Sequence, residues 1–476
     1  MNWISIILLA LSFRCVAQAF THGGPTLDQL ADTASDTAFA ISDQDTLESL
    51  RDSLNPTQPY WLPVSEGIGF NLLLGAFNAY VSNEHFAKIS WKTIGDNFRR
   101  GFAWDADNFS TNQFAHPYHG GLYYNFARSA GYGYWPSLGV ATIGSWQWEF
   151  FMENEPPAVN DWIKTSVGGA FLGEITYRLS SMIIDETATG SERAWREIAA
   201  FVVSPARGFN RLIFGRTSRT TSTNVYETGA TVGNFAFGAN NIGEGTDLKS
   251  GTKNPLLSID FNYGQPFKKR LNKPFDFFRV HLGLNFRTGN PLGFVYGYGV
   301  LHSKRLTYEN NRRLVLGFFQ HFDYLSNAIY EIGATSFAGG LLYKTRFVGS
   351  DLYLAGHLGP ILMGGANSEF AKEFTFDDRV IQYNMGIGAQ SKFEAILAGD
   401  WGNFYLAHFF WWIHTLNGAP GDEFIGILKP RITVRVYNAW ALGLEYLLYH
   451  RTGLYEDFPD VDLRNNEQRL FIALYF

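Results

Sequence analysis

From about residue 222 onward, apolar and polar residues alternate with a period of two in segments about ten residues long. In 276–288, Phe278, Val280, Leu282, Leu284 and Phe286 alternate with Arg279, His281, Gly283, Asn285 and Arg287. In 312–324, Leu314, Leu316, Phe318 and Phe322 oppose Arg313, His321 and Asp323; in 431–437, Ile432, Val434 and Val436 oppose Arg431, Thr433 and Arg435. One aromatic-rich face and one charged face suit a strand between lipid and a polar lumen. A soluble sandwich would turn its charges to bulk water instead. About twelve such strands are predicted, near 223–238, 255–265, 277–288, 294–305, 312–324, 331–346, 350–363, 380–397, 402–415, 424–437, 440–451 and 466–476. Their connections alternate between long and tight, as in outer-membrane barrels, with 264–276 longer than that rule asks.

The final residues, "EQRLFIALYF", alternate Leu470, Ile472, Leu474 and Phe476 with Arg469, Phe471, Ala473 and Tyr475. This resembles the C-terminal strand signal of Gram-negative outer-membrane proteins, which implies the barrel assembly machinery as a partner. An export signal is expected at the other end. The apolar stretch Ile4–Phe13 precedes Ala17-Gln18-Ala19, a small-residue cleavage site. Removing residues 1–19 takes away Cys15, the sole cysteine, so no disulfide or thiol chemistry is expected of the mature chain. Past the signal, no apolar stretch reaches the roughly 18 residues of a spanning helix. With 17% charged residues and a net charge of −6, nothing points to nucleic acid as a partner.

The first half reads differently. Residues 20–58 are an acidic, flexible leader, with seven carboxylates from Asp28 to Asp52. Residues 59–218 show helical patterns near 63–82, 111–130, 137–154, 159–185 and 191–201, and the barrel is expected over 219–476. The expected fold class is therefore α + β: an N-terminal helical domain followed by an antiparallel transmembrane β-barrel. Three stretches, "NQFAHPYHGGLYYNFAR", "GSWQWEFFMENEPPAVND" and "TSVGGAFLGEITYRLS", resemble a bacterial family called domain of unknown function 3943, over about 60–215. The resemblance implies an exported Gram-negative protein and brings no reaction with it.

Two polar sets are candidates for function. In the helices, Glu149 and Glu153 stand four apart, so their carboxylates are expected on one helix face. His116 and His119 stand three apart, with Pro117 placing them in a first turn. Histidines facing carboxylates could hold a divalent metal ion, with His116, His119, Glu149 and Glu153 as ligands, or could do acid–base work through His116, Glu149 and Glu153. They could equally lock packing, with Asn160, Asp161 and Glu174 nearby. Asp161 reads as a helix cap and Glu174 with Arg178 as a salt bridge. Gly120, Gly121, Gly168 and Gly169 suit a close helix crossing.

In the barrel, strand parity turns Arg279, His281, His321, Asp323, His357, His408, Arg431, Arg435 and Glu445 inward. A His321–Asp323 pair could activate water, although small barrels also fill with structural charge. The function expected is binding or handling of outer-membrane lipid or a small solute. A lipid or lipopolysaccharide hydrolase and a narrow channel are the alternatives. The helical domain is expected on the periplasmic side.

Overall fold

The computed structural model describes residues 50–226, 229–244, 251–268, 270–284, 286, 291–309, 311–376 and 379–476. The expected signal peptide and most of the leader lie outside the described residues.

The second half is a closed antiparallel barrel of twelve strands. They run Thr231–Glu244, Thr252–Tyr263, Phe278–Leu284, Leu292–Glu309, Arg312–Ser326, Glu331–Phe347, Ser350–Ala366, Asn384–Gly399, Gly402–Asn417, Gly421–Tyr437, Trp440–Tyr455 and Val461–Tyr475. The wall closes where the first strand pairs with the last, from Asn234 opposite Tyr475 to Gly243 opposite Asn466. Closure satisfies every strand edge, which is what lets a sheet cross hydrocarbon.

The outer surface carries the apolar half of the alternation. Leu358, Val434, Leu442, Leu444, Leu470 and Ile472 are all exposed, while their neighbours Arg469, Phe471 and Ala473 are buried. Tight connections gather at the end where the chain enters. There Asn311, Val348 and Asn438 take positive φ, with Gly349 beside Val348 at φ 79°, so that two residues reverse the chain. Longer connections, including 367–383, lie at the other end.

The first half is helical, as expected. Helices run Trp61–Tyr80, Trp91–Arg100, His116–Ser129, Tyr134–Phe151, Val159–Ile163, Gly169–Ile183, Gly190–Val203 and Pro205–Ile213. Wider π-turns, Thr111–Ala115 and Lys164–Gly168, lead into the third and the sixth. The sequence reading missed Trp91–Arg100 and Pro205–Ile213, short amphipathic helices of ten and nine residues. Among the described residues no helix is long and apolar enough to cross a membrane.

The helix His116–Ser129 meets Gly169–Ile183 with backbone against backbone. A Cβ on Gly120 would stand 1.7 Å from the carbonyl oxygen of Thr165, and one on Gly169 2.6 Å from the Cα of Gly120. Gly121 and Gly173 extend the crossing. Small residues at this seam are therefore a steric requirement.

By compactness the chain divides into a helical unit, residues 50–105 and 114–226 of those described, and a barrel unit. The barrel unit includes residues 106–113. Phe109 of that segment packs on Tyr324 and Tyr383, with ring centroids 5.6 and 5.3 Å away. Gln113 lies directly over Gly333 and Gly365, and Asn112 approaches the Met385 sulfur at 3.9 Å. Tyr324 has the opposite parity to His321 and Asp323, whose side chains enter the lumen. Tyr324 pairs with Gly333, and Gly333 with Gly365. Residues 106–113 thus lie on the outer wall of strands five to eight.

Candidate functional site

The lumen is filled by charge. Among the described residues six buried carboxylates, Asp260, Asp323, Glu394, Glu423, Glu445 and Glu467, meet six buried cations, Arg279, Lys392, Lys429, Arg431, Arg451 and Arg469. Arg279 bridges Asp260 at 3.0 Å and Glu394 at 2.6 Å, and Arg431 joins Asp260 at 3.3 Å. Arg469 spans Glu445 and Glu467 at 2.9 and 2.7 Å, with the Tyr449 hydroxyl donating to Glu467. Buried charges are costly unless paired, and equal numbers interleaved around the wall meet that demand.

Of the lumen residues expected from sequence, Arg279, His281, His321, Asp323 and His357 are all buried inside. Arg431 and Glu445 are inside as well. His321 Nε2 lies 3.1 Å from His357 Nδ1, while Lys392 reaches both His321 Nδ1 and Asp323. The second oxygen of Asp323 accepts from Trp411 Nε1 at 3.0 Å. His321 and Asp323 therefore communicate through Lys392. His281 Nδ1 lies 3.4 Å from Lys429.

His408 corrects the parity reading, because it is exposed on the outer face. Its strand, "NFYLAHFFWWI", is apolar on both faces, so alternation gave no direction. Tyr405, Ala407, Phe409 and Trp411 are the buried inward set. Arg435, at the barrel rim, is exposed too. Lys392, Glu394 and Asp260 were missed, yet "QSKFE" and "SIDFN" do alternate around them.

The helical unit holds three polar clusters. In the first, the side-chain amide of Asn160 donates to Asp161 at 2.8 Å and to Asp105 at 3.1 Å, and His116 Nε2 stands 3.6 Å from Asp161. Burial lowers the His116 pKa, against the pull of Asp105. Asp161 lies in the first turn of its helix but is spent on these partners.

In the second cluster, His119 is enclosed by Tyr123, Trp148 and Phe70, with centroids 4.6, 5.2 and 5.4 Å away. Burial, with His116 alongside, pushes its pKa down to about 3. The Tyr123 hydroxyl donates to Asn71. Its pKa is raised by burial and by the nearby Glu149 and Glu153 carboxylates. Glu149 accepts from the Ala158 backbone at 2.9 Å, and Glu153 from Trp148 Nε1 at 2.6 Å. Glu153 does not share a helix with Glu149, because the helix ends at Phe151. Pro156 and Pro157 disfavour its continuation, and the chain folds Glu153 back onto Trp148.

The third cluster stands on Glu174. Arg128 grips both its oxygens at 2.7 and 3.1 Å, Arg178 adds 2.8 Å, and the Tyr124 hydroxyl donates at 2.7 Å. Burial works to raise its pKa, but Arg128 and Arg178 hold it below the ordinary value. Arg128 was not foreseen, because its own helix carries no acidic residue and so offered no spacing signal. Among the described residues no group of three or more His, Cys, Asp and Glu is arranged to hold a metal ion.

The three motifs lie on the helices that build these clusters. Residues 101–206 match the family described as Domain of unknown function (DUF3943). That bears out the resemblance over a shorter span than the 60–215 expected, and the DUF3943 stretch contains every helical cluster residue named above except Phe70 and Asn71. No curated protein matches the chain. Among solved structures, the outer membrane channel DcaP of Acinetobacter baumannii is 9% identical, with a TM-score of 0.23, and covers 52% of this chain and 96% of its own. The translocator domain of autotransporter NalP from Neisseria meningitidis is 11% identical, with a TM-score of 0.22, covering 52% and 89%. OmpT of Vibrio cholerae, an outer membrane protein, is 10% identical at 0.18, covering 52% and 96%.

Proposed function

We propose that this chain is an outer-membrane protein of Gram-negative bacteria that binds or handles envelope lipid through its helical region, with the barrel as a closed anchor. One observation carries the reading: the helical region buries polar clusters while it exposes many large apolar side chains. Helix Trp61–Tyr80 has Glu66 as its lone charge and buries Asn71, yet exposes Trp61, Leu72, Leu73, Phe77 and Tyr80. Trp195, Phe209, Leu212 and Ile213 are exposed on later helices. A surface so apolar belongs against lipid or a partner rather than water.

In this reading the signal peptide directs export, the barrel assembly machinery inserts the wall, and the tight-turn end faces the periplasm. The lumen supports a closed anchor over a channel. The cavity lined by Arg279, His281, Lys392 and Glu394 measures about 20 Å³, room for one water molecule. Hydrolysis draws less support, because Asp323 spends its oxygens on Lys392 and Trp411 rather than orienting His321.

The test is lipid retention. Protein purified in neutral detergent should carry phospholipid in native mass spectrometry. Leu72→Asp with Leu73→Asp should strip it while the heat-modifiable barrel band persists. Equal retention by the variant sinks the reading, and steady conductance in planar bilayers would restore the channel. Single cysteines placed in the mature chain, labelled from outside intact cells, would report the side of the helical region.

A further inference from the structure

We infer that the surface formed by residues 88–102 and the end of helix Tyr134–Phe151 binds the headgroup layer of an anionic phospholipid leaflet. This rests on the lipid reading above and names the lipid class and the place. The helix Trp91–Arg100 starts on a capping box, with the Ser90 side chain accepting from the Thr93 backbone and Thr93 accepting from the Ser90 backbone. That fixes Trp91 as the first helical residue, 88% exposed. Phe98 lies seven residues on, so it shares the face of Trp91.

Behind that face the aromatics form one sheet of rings. Phe98 contacts Phe150, Phe151 and Trp146 at 4.9, 5.5 and 6.2 Å, and Phe102 contacts Phe150 and Trp162 at 5.4 and 5.3 Å. Phe98, Phe102 and Trp146 remain substantially exposed. Tryptophan rings such as Trp91 and Trp146 sit at the headgroup level of a bilayer, and phenylalanine serves the apolar face of an interfacial helix.

Charge selects among lipids. Lys88, Lys92, Arg99 and Arg100 are all exposed around the rings, against one carboxylate in the same stretch, Asp96, which pairs with Arg99 at 2.8 Å. Arg99 and Arg100 in the last turn could be explained by the helix dipole alone. Lys88 and Lys92 could not, because they stand at the positive end, where a cation is disfavoured. A cationic rim at both ends of an aromatic face fits an anionic surface, which draws each basic residue by roughly 1 kcal/mol.

The experiment uses the full chain in phosphatidylcholine nanodiscs containing a minority of phosphatidylglycerol, with bromine on the acyl chains of one lipid or the other. Emission from Trp91, taken as the difference from Trp91→Phe, reports contact. Brominated phosphatidylglycerol should quench as if enriched about fivefold over its bulk share, the equivalent of one basic residue's attraction. Lys92→Gln with Arg99→Gln and Arg100→Gln should bring the two lipids to parity, with quenching by brominated phosphatidylcholine retained. Parity in the unaltered protein overturns the anionic preference alone. No quenching by either lipid overturns the lipid contact of this surface, and if the Leu72 and Leu73 variant also keeps its phospholipid, the lipid reading of the whole region falls with it.

Discussion

The barrel and the helical region both bury charge and expose apolar side chains, but they sort them by different rules. In the barrel a side chain's environment follows from its place in a two-residue alternation, and one ladder of pairing fixes the rest. Arg469 is inside and Leu470 outside for no other reason. In the helical region the sorting depends on which helices cross, and the crossings depend on single glycines. The barrel interior is thus a distributed network, whereas the helical interior is a set of separate clusters hung on one tight seam.

That contrast can be broken at three places. The largest effect is expected from Lys392→Met, which leaves Asp323 buried with its cation gone. Loss of one partner from a buried pair costs about 3–5 kcal/mol. Urea unfolding followed by gel mobility should show it, and adding Asp323→Asn should restore much of the loss. If the double variant is as weak as the single, the network is not pairwise.

A somewhat smaller effect, about 3 kcal/mol, is expected for Gly120→Ala, because the added carbon meets the Thr165 carbonyl and the helices must part. Limited proteolysis should cut the helical region while the barrel still shifts on heating. A barrel lost along with it would mean the two units do not fold separately.

The smallest effect near neutrality concerns His119, whose pKa is lowered to about 3 from 6.5. The unfolded chain takes up the proton first, so stability is intact above pH 6.5 and falls as pH drops from there towards 3. One unit below the ordinary histidine value the loss is about 1.4 kcal/mol. His119→Phe, which keeps an aromatic ring among Tyr123, Trp148 and Phe70, should flatten the acid limb of the helical transition followed by tryptophan fluorescence. An unchanged slope would assign the acid sensitivity elsewhere, with His116 next in line.

Twelve strands were legible because alternation is a property of neighbours in sequence, and their count, order and general bounds follow from it. His408 escaped because its strand has no polar face to read. The helical sites were legible as residue types but not as partners. Glu174 with Arg178 could be paired by helical spacing, whereas Arg128 reaches Glu174 from another helix and Asp105 reaches Asn160 across 55 residues. Glu153 was misplaced because the helix ends at Phe151, five residues before the first of the two prolines. Long-range partners carry no local period, so nothing in the chain announces them.

Residues 106–113 give the molecule a history as well as a shape. They precede every strand in the chain, yet their seat is built from strands five to eight. Until Tyr324, Gly333, Gly365 and Tyr383 are in register, Phe109 and Gln113 have no place to go. Nor can one cut separate the two units, since a break between helices and barrel leaves this piece on the wrong side. Recombination that swaps barrels beneath a fixed helical region must exchange two segments at once, and so the pair is inherited as one.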